Sequence, residues 1–302
     1  MKFDIIGKRY WFFALSALVM IPGIISIIFQ GFNLGIDFTG GTLLDLKFAR
    51  PVTVTEVRTV LQDYKLENST IQLAVSENIE ASPNVFIRTR ELSDDERRSV
   101  VSGMEKSLGS FDVLRAEKVG AVIGSELTMN AIVAVVISWA LMILYISYRF
   151  EFKFAVSGIL AIVHDLIVVI GIFSLLHKEI DATFVAAILT ICGYSINDTI
   201  VIFDRIRENL KSHSKTEPFA QLVNRSIWQT MTRSIYTVLT VVFATAALYF
   251  FGGETTKNFS LALLIGFCSG AYSSIFNASP IWVTWKEYEE RQRFAAKTRG
   301  TK

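Results

Sequence analysis

The chain has 302 residues, 51% hydrophobic and 19% charged, with a mean hydropathy of +0.42, a balance that excludes an ordinary soluble domain and points to a membrane-embedded chain. Its 30 Lys and Arg against 28 Asp and Glu leave a net charge of +2, too small for a nucleic-acid-binding surface. The only two cysteines, Cys192 and Cys268, lie in apolar runs, which excludes a disulfide-stapled module and a CxxC zinc site.

The uncharged run 10–29 has 20 residues, enough for a helix to cross the ~30 Å hydrocarbon core. Lys2, Lys8 and Arg9 precede it, but it exceeds a signal-peptide core and no small-residue cleavage pattern follows, so it is read as the first span. Five more spans are expected at 129–148, 154–176, 182–203, 235–251 and 259–283, which puts both termini on one side. Lys and Arg choose that side. With cytoplasmic termini, 17 of them fall in the N-terminus, the loop at 149–153, the loop 204–234 and the tail 284–302, against Lys178 and Lys257 in the short outer loops. This positive-inside pattern places residues 30–128 outside the cytoplasm.

That outer segment is long enough for one small domain. Residues 43–48 alternate as a strand, and Val54, Val57, Val60 and Leu61 have helical spacing. Ile71, Leu73 and Val75 alternate again, a turn is signalled at 81–84, and 85–89 reads as a strand. Ser93 and Glu96 form a capping-box pattern that opens a helix to about Leu108, and 111–119 supplies the last strand. The order βαββαβ fits a ferredoxin-like sheet with two helices on one face. The expected fold class is therefore an α-helical polytopic membrane protein of six transmembrane helices, with one α+β ferredoxin-like extracytoplasmic domain between spans one and two.

The loop 204–234 carries Phe219, Leu222, Val223, Ile227 and Met231 at helical spacing. Two readings stand side by side: a helix lying on the membrane surface, or the beginning of span five packed on its neighbours.

Ionisable groups inside spans cost roughly +2.5 to +3.5 kcal/mol near the helix centre, so each needs a reason. His164 and Asp165 lie near the middle of span three, Asp198 beside Asn197 lies in span four, and Arg233 stands just ahead of span five. Asp198 reads either as a carboxylate neutralised by an arginine to fix packing, or as a proton carrier poised between burial and a nearby positive charge. His164 and Asp165 read either as a relay or as a hydrogen-bonded core pair. Arg233 could also snorkel to the headgroups. The glycine cluster Gly35, Asp37, Gly40, Gly41 lacks the GK[ST] of a phosphate loop and reads as a tight turn into the first strand. Gly266 and Gly270 give GxxxG spacing, a helix-contact signal.

The stretch from Gly193 through Asn197 and Asp198 to Asp204, Arg205, Arg207 and Asn209 closely resembles the signature of the SecF branch of the SecD/SecF protein-export family. Three further motifs agree in order: residues 35–42, Gly120 and Gly124 before span two, and His164-Asp165. Two positions depart from the pattern, Ala121 where proline is expected and Asn277 in the last span. The resemblance implies a six-span half of a resistance-nodulation-division transporter in the bacterial cytoplasmic membrane, working with a SecD-like subunit, the SecYEG channel and the translocating preprotein. It also implies that proton flow involves Asp198 and Arg233, and that ATP hydrolysis belongs to the separate SecA motor. No cofactor and no nucleic acid are expected. The implied role is to assist export with the proton-motive force. The competing readings are a proton-coupled small-molecule or ion antiporter of the same superfamily, a purely structural clamp on the translocon, and an aspartyl protease dyad of Asp165 and Asp198. The last lacks the tyrosine and Gly-x-Gly that such proteases show.

Overall fold

The structure, a computed structural model, describes residues 3–73, 84–213 and 217–299. In chain order the elements are α1 (Arg9–Gln30), β1 (Asn33–Leu34), α2 (Ile36–Thr39), β2 (Gly41–Phe48), α3 (Val54–Gln62), β3 (Thr70–Leu73), β4 (Asn84–Thr89), α4 (Asp94–Leu108) and β5 (Phe111–Val119). They are followed by α5 (Ala121–Arg149), α6 (Phe152–Leu175), β6 (Glu179–Ile180), α7 (Ala182–Lys211), α8 (Phe219–Phe251), α9 (Glu254–Ser273), a π-turn (Ser274–Ala278) and α10 (Ser279–Arg299). The chain divides into two compact units, Leu34–Ile132 and Met1–Asn33 with Val133–Lys302.

The smaller unit holds a four-stranded antiparallel sheet in the order β3-β4-β2-β5, with α3 and α4 between strands in sequence. Apolar side chains of β2, β4 and the two helices, among them Leu44, Leu46, Leu61, Ile87, Val100 and Met104, form its core. Each such buried side chain contributes about 1.5–3 kcal/mol. The Ser93 hydroxyl accepts from the Glu96 amide at 3.2 Å while the Glu96 carboxylate accepts from the Ser93 amide at 2.8 Å, closing the expected capping box at the start of α4. A second box, Thr53 with Glu56, opens α3. Val75 and the turn residues 81–83 lie outside the described residues. The stretch read as a tight turn before β2 contains one turn of helix, α2, and ends in Gly40 and Gly41 with φ of +71° and +125°. Both positions need glycine, since a Cβ on Gly41 would also run into the Thr89 carbonyl.

Six helical segments among the described residues are long and apolar enough to cross a membrane: α1, α5, α6, α7, α8, and the continuous stretch Thr255–Phe294 through the π-turn. Several are longer than expected: α5 starts at Ala121 rather than 129, and α7 runs to Lys211 rather than 203. Ala121 occupies the first helical position, where proline is favoured but not required.

The largest revision concerns α8. It is one helix from Phe219, so the surface-helix reading is replaced by that of a packed beginning of span five. Leu222, Val223 and Ile227 are fully buried in a cluster with Ile5, Ile6, Phe203 and Trp282, and the Asn224 side chain accepts from the Ile5 amide at 2.8 Å. Both readings require the same amphipathic spacing, and tertiary packing decides between them.

Small residues set the other helix contacts. A Cβ on Gly23 of α1 would sit 2.8 Å from the Gly171 Cα of α6, and the Ser26 and Ser174 hydroxyls meet at 2.8 Å one turn away. Gly266 and Gly270 of α9 lie against Ile191 and Ser195 of α7, the helix contact their spacing predicts. Asn277 lies in the π-turn and exchanges hydrogen bonds with Ser16 of α1 at 3.0 and 3.1 Å. Pro280, the second residue beyond the π-turn, lacks the N–H that an unbroken α-helix would use there, which accounts for the local widening.

Candidate functional site

Asp165 projects from the middle of α6 and is fully buried. Its Oδ2 accepts from Ser195 Oγ of α7 and Ser273 Oγ of α9, both at 2.7 Å; its Oδ1 accepts from Ser269 Oγ of α9 at 2.6 Å and from His164 Nδ1 at 3.1 Å. Four donors from three helices thus fill one carboxyl group, which makes Asp165 the polar junction of α6, α7 and α9. A buried carboxylate is tolerated when it is hydrogen-bonded in this way.

Asp198 lies one turn beyond Ser195 on the same helix and is 7% exposed. Its Oδ1 accepts from Ser234 Oγ of α8 at 2.7 Å, and its Oδ2 is buried without a partner. Between Asp198 and the Asp165 junction runs a hydroxyl strip: Thr199 Oγ1 and Ser274 Oγ meet at 2.9 Å, and Ser274 Oγ donates to the Ser195 carbonyl at 3.2 Å. Among the described residues no hydrogen bond joins the two carboxyls.

Arg233 does not pair with Asp198; among the described residues no ion pair links them, and its side chain is exposed. It lines a cavity of about 350 Å3 between α5, α7 and α8, together with Arg149, Asp204, Arg205 and Glu208. Arg233 acts on Asp198 through its charge at longer range, and Ser234, the residue after it, makes the direct contact. Asn197 is also separate. Adjacent helical residues diverge by about 100°, so Asn197 is exposed on a different face of α7 from Asp198. Gly193 shares that outer side, with open space where a Cβ would stand. Of the other motif positions, Gly35 caps α2, whose Asp37 is half-buried, and a Cβ on Gly124 would press on Gly40 and Phe38 at 3.0 Å. Gly120 has room around it.

Residues 100–288 match the family model "Protein export membrane protein SecD/SecF, C-terminal", and residues 25–52 match the SecD/SecF GG motif. The chain belongs to the SecD/SecF family. It is 52% identical over 291 residues to the protein translocase subunit SecF of Acidaminococcus fermentans, covering 96% of this chain and 99% of that one. It is 39% identical to the protein translocase subunit SecDF of Bacillus subtilis, covering 95% of this chain but 39% of the relative. A crystal structure of SecDF from Thermus thermophilus, described as a translocon-associated membrane protein, superposes with a TM-score of 0.86 at 37% identity, over 95% of this chain and 39% of that one. In this SecD/SecF chain the sequence reading missed Ser195, Ser269, Ser273 and Ser234, the donors to both carboxyls. Ser195 lies one turn before Asp198 and Ser234 directly follows Arg233, so position within the motif was the one available signal.

Proposed function

We propose that the chain is an auxiliary subunit of the Sec translocase, a transport component rather than an enzyme, that uses the proton-motive force to assist export of unfolded preproteins. The names of its SecF and SecDF relatives support the Sec assignment, and the fused SecDF chains support a SecD-like partner for a chain that spans 39% of one of them. On this reading both termini face the cytoplasm, residues 30–128 form a ferredoxin-like domain outside the bacterial cytoplasmic membrane that holds or pulls the client emerging from SecYEG, and SecA supplies the ATP-driven push. The sheet order β3-β4-β2-β5 with its βαββαβ sequence is what supports the ferredoxin-like assignment.

One observation carries the proton-coupling reading: Asp198 is buried with one oxygen held by Ser234 and the other open. A carboxyl with a vacant oxygen can take up and release a proton without breaking its neighbours' hydrogen bonds, whereas Asp165 has four donors to displace. Asp165 and His164 hold the three helices that move around it, Asn197 faces the SecD-like partner, and the cavity lined by Arg233 is the proton's route on the cytoplasmic side. Arg233 and Asp198 are apart in this conformation; their approach in another would change the cost of ionising the carboxyl and so tie proton transfer to helix movement. Each proton crossing 100 mV supplies ~2.3 kcal/mol, enough to bias a domain rearrangement but not to unfold a client outright.

The test is Asp198→Asn, which keeps the shape and removes titration. In membrane vesicles with a SecD-like partner and SecYEG, it should abolish the proton-gradient-dependent part of export at equal subunit abundance. Export by the double apolar variant Asp198→Leu/Arg233→Met at the wild-type level would overturn the coupling role and leave a packing one.

A further inference from the structure

Residues of α1, α6 and α9 line an open pocket of about 430 Å3, within the ~300–1,000 Å3 of small-molecule sites. Its wall is almost wholly apolar, built from Leu15, Val19, Val168, Ile172, Leu264 and Ile265. The hydroxyls that line it are committed elsewhere: Ser269 to Asp165, Tyr272 to the Phe12 carbonyl at 2.7 Å, and Ser16 to Asn277. Besides the weakly polar thiol of Cys268, one ring nitrogen is left over. His164 lines the same pocket, is 8% exposed, and its Nε2 has no hydrogen-bond partner.

The character of that atom follows from its other side. His164 Nδ1 faces Asp165 Oδ1, and a carboxylate only accepts, so Nδ1 donates; in the uncharged tautomer this leaves Nε2 as a bare acceptor. Leaving it so in an apolar pocket is costly. A water molecule is a poor remedy, because a buried water needs two to four polar partners and the pocket offers this one. A charged headgroup is a poor one too, since His164 lies in the middle of α6, where an unpaired charge is expensive.

We propose that this pocket binds a membrane-dissolved amphiphile with an apolar chain and a single hydroxyl, a long-chain alcohol in chemical class, whose hydroxyl donates to His164 Nε2. The chain lies among the aliphatic side chains of α1, α6 and α9, and the one hydrogen bond fixes the ring that in turn holds Asp165. Occupancy therefore acts directly on the junction of α6, α7 and α9.

The experiment is photo-crosslinking of the full-length protein in detergent with two probes, a diazirine-bearing 1-dodecanol and its methyl ether, which keeps the chain and the oxygen but cannot donate. The alcohol should label the pocket walls on α1, α6 and α9 about tenfold more than the ether, the yield of one hydrogen bond. Excess 1-dodecanol should compete with it and dodecane should not. His164→Phe should bring the alcohol down to the level of the ether. Equal labelling by alcohol and ether in the wild type, no labelling of the pocket by either, or an alcohol preference that survives His164→Phe would each overturn the proposal. The wild-type comparison decides even if the variant fails to fold.

Discussion

The Ser234 hydroxyl of α8 reaches across to α7 and donates a 2.7 Å hydrogen bond to Asp198 Oδ1, the one side-chain donor among the described residues that the carboxyl has. Ser234→Ala should therefore lower gradient-driven export several-fold without changing insertion, because it frees the carboxyl from α8. Ser234→Thr, which keeps the hydroxyl, should retain most of the activity. The comparison is export with and without a proton gradient at equal subunit abundance.

Asp165 and Asp198 should separate cleanly in stability. Asp165→Ala strands Ser195, Ser269, Ser273 and His164 at once and should cost ~3 kcal/mol, seen as a lower melting temperature in detergent. Asp198→Asn disturbs one bond and should cost no more than ~1 kcal/mol. Equal melting temperatures for the two variants would refute the junction role.

Backbone contact between α1 and α6 gives a packing test. Gly23→Ala and Gly171→Ala should each destabilise by ~1–3 kcal/mol, since each new methyl meets the opposite backbone at 2.7–2.8 Å. The double variant should cost less than the sum of the two, because one separation of the helices relieves both clashes. Gly193→Ala, with open space around it, should leave the melting temperature of the isolated subunit unchanged.

In the smaller unit, the Arg90 guanidinium, with help from the Ser93 amide and hydroxyl, lowers the Glu96 carboxyl from 4.5 to about 2. A depressed carboxylate stabilises the fold above its unfolded value, and that contribution is lost as pH falls through the folded one. Between pH 4.5 and about 2 the wild-type fragment 33–118 should lose stability that Glu96→Gln never has, so their melting temperatures should converge in that window. Carboxyl NMR should put the Glu96 midpoint near its low end, and Arg90→Ala should move it up. The same fragment should be soluble, with a mixed α/β circular dichroism spectrum.

Features written by near neighbours were legible in the sequence. β5 spans Phe111–Val119, the bounds read for the last strand, and the Ser93–Glu96 box stays within one helical turn. The donors to Asp165 were not legible: Ser269 and Ser273 lie 104 and 108 residues away, and a serine in an apolar helix can equally bond its own backbone four residues back. Asn277 was visible as an anomaly, but its partner Ser16 stands 261 residues earlier, and no local pattern names it. The Asp198 motif drew attention to a buried carboxyl but not to its hydrogen-bond donor, because the sequence order Arg233-Ser234 does not say which of the two turns inward.

The π-turn at Ser274–Ala278 acts as a phase shifter. It accommodates one residue more than an α-turn of the same rise, so if the same residues ran as regular helix everything beyond them would be rotated by about 100°. Trp282 would leave its 4.3 Å stack on Phe154, and Glu287 and Glu289 would swing away from Arg9 and Lys153. The Ser269 and Ser273 hydroxyls, which precede the turn, would keep their aim at Asp165. The last helix thus carries two independent angular settings, one for the buried junction and one for the seal at its far end, and the widened turn between them sets their difference.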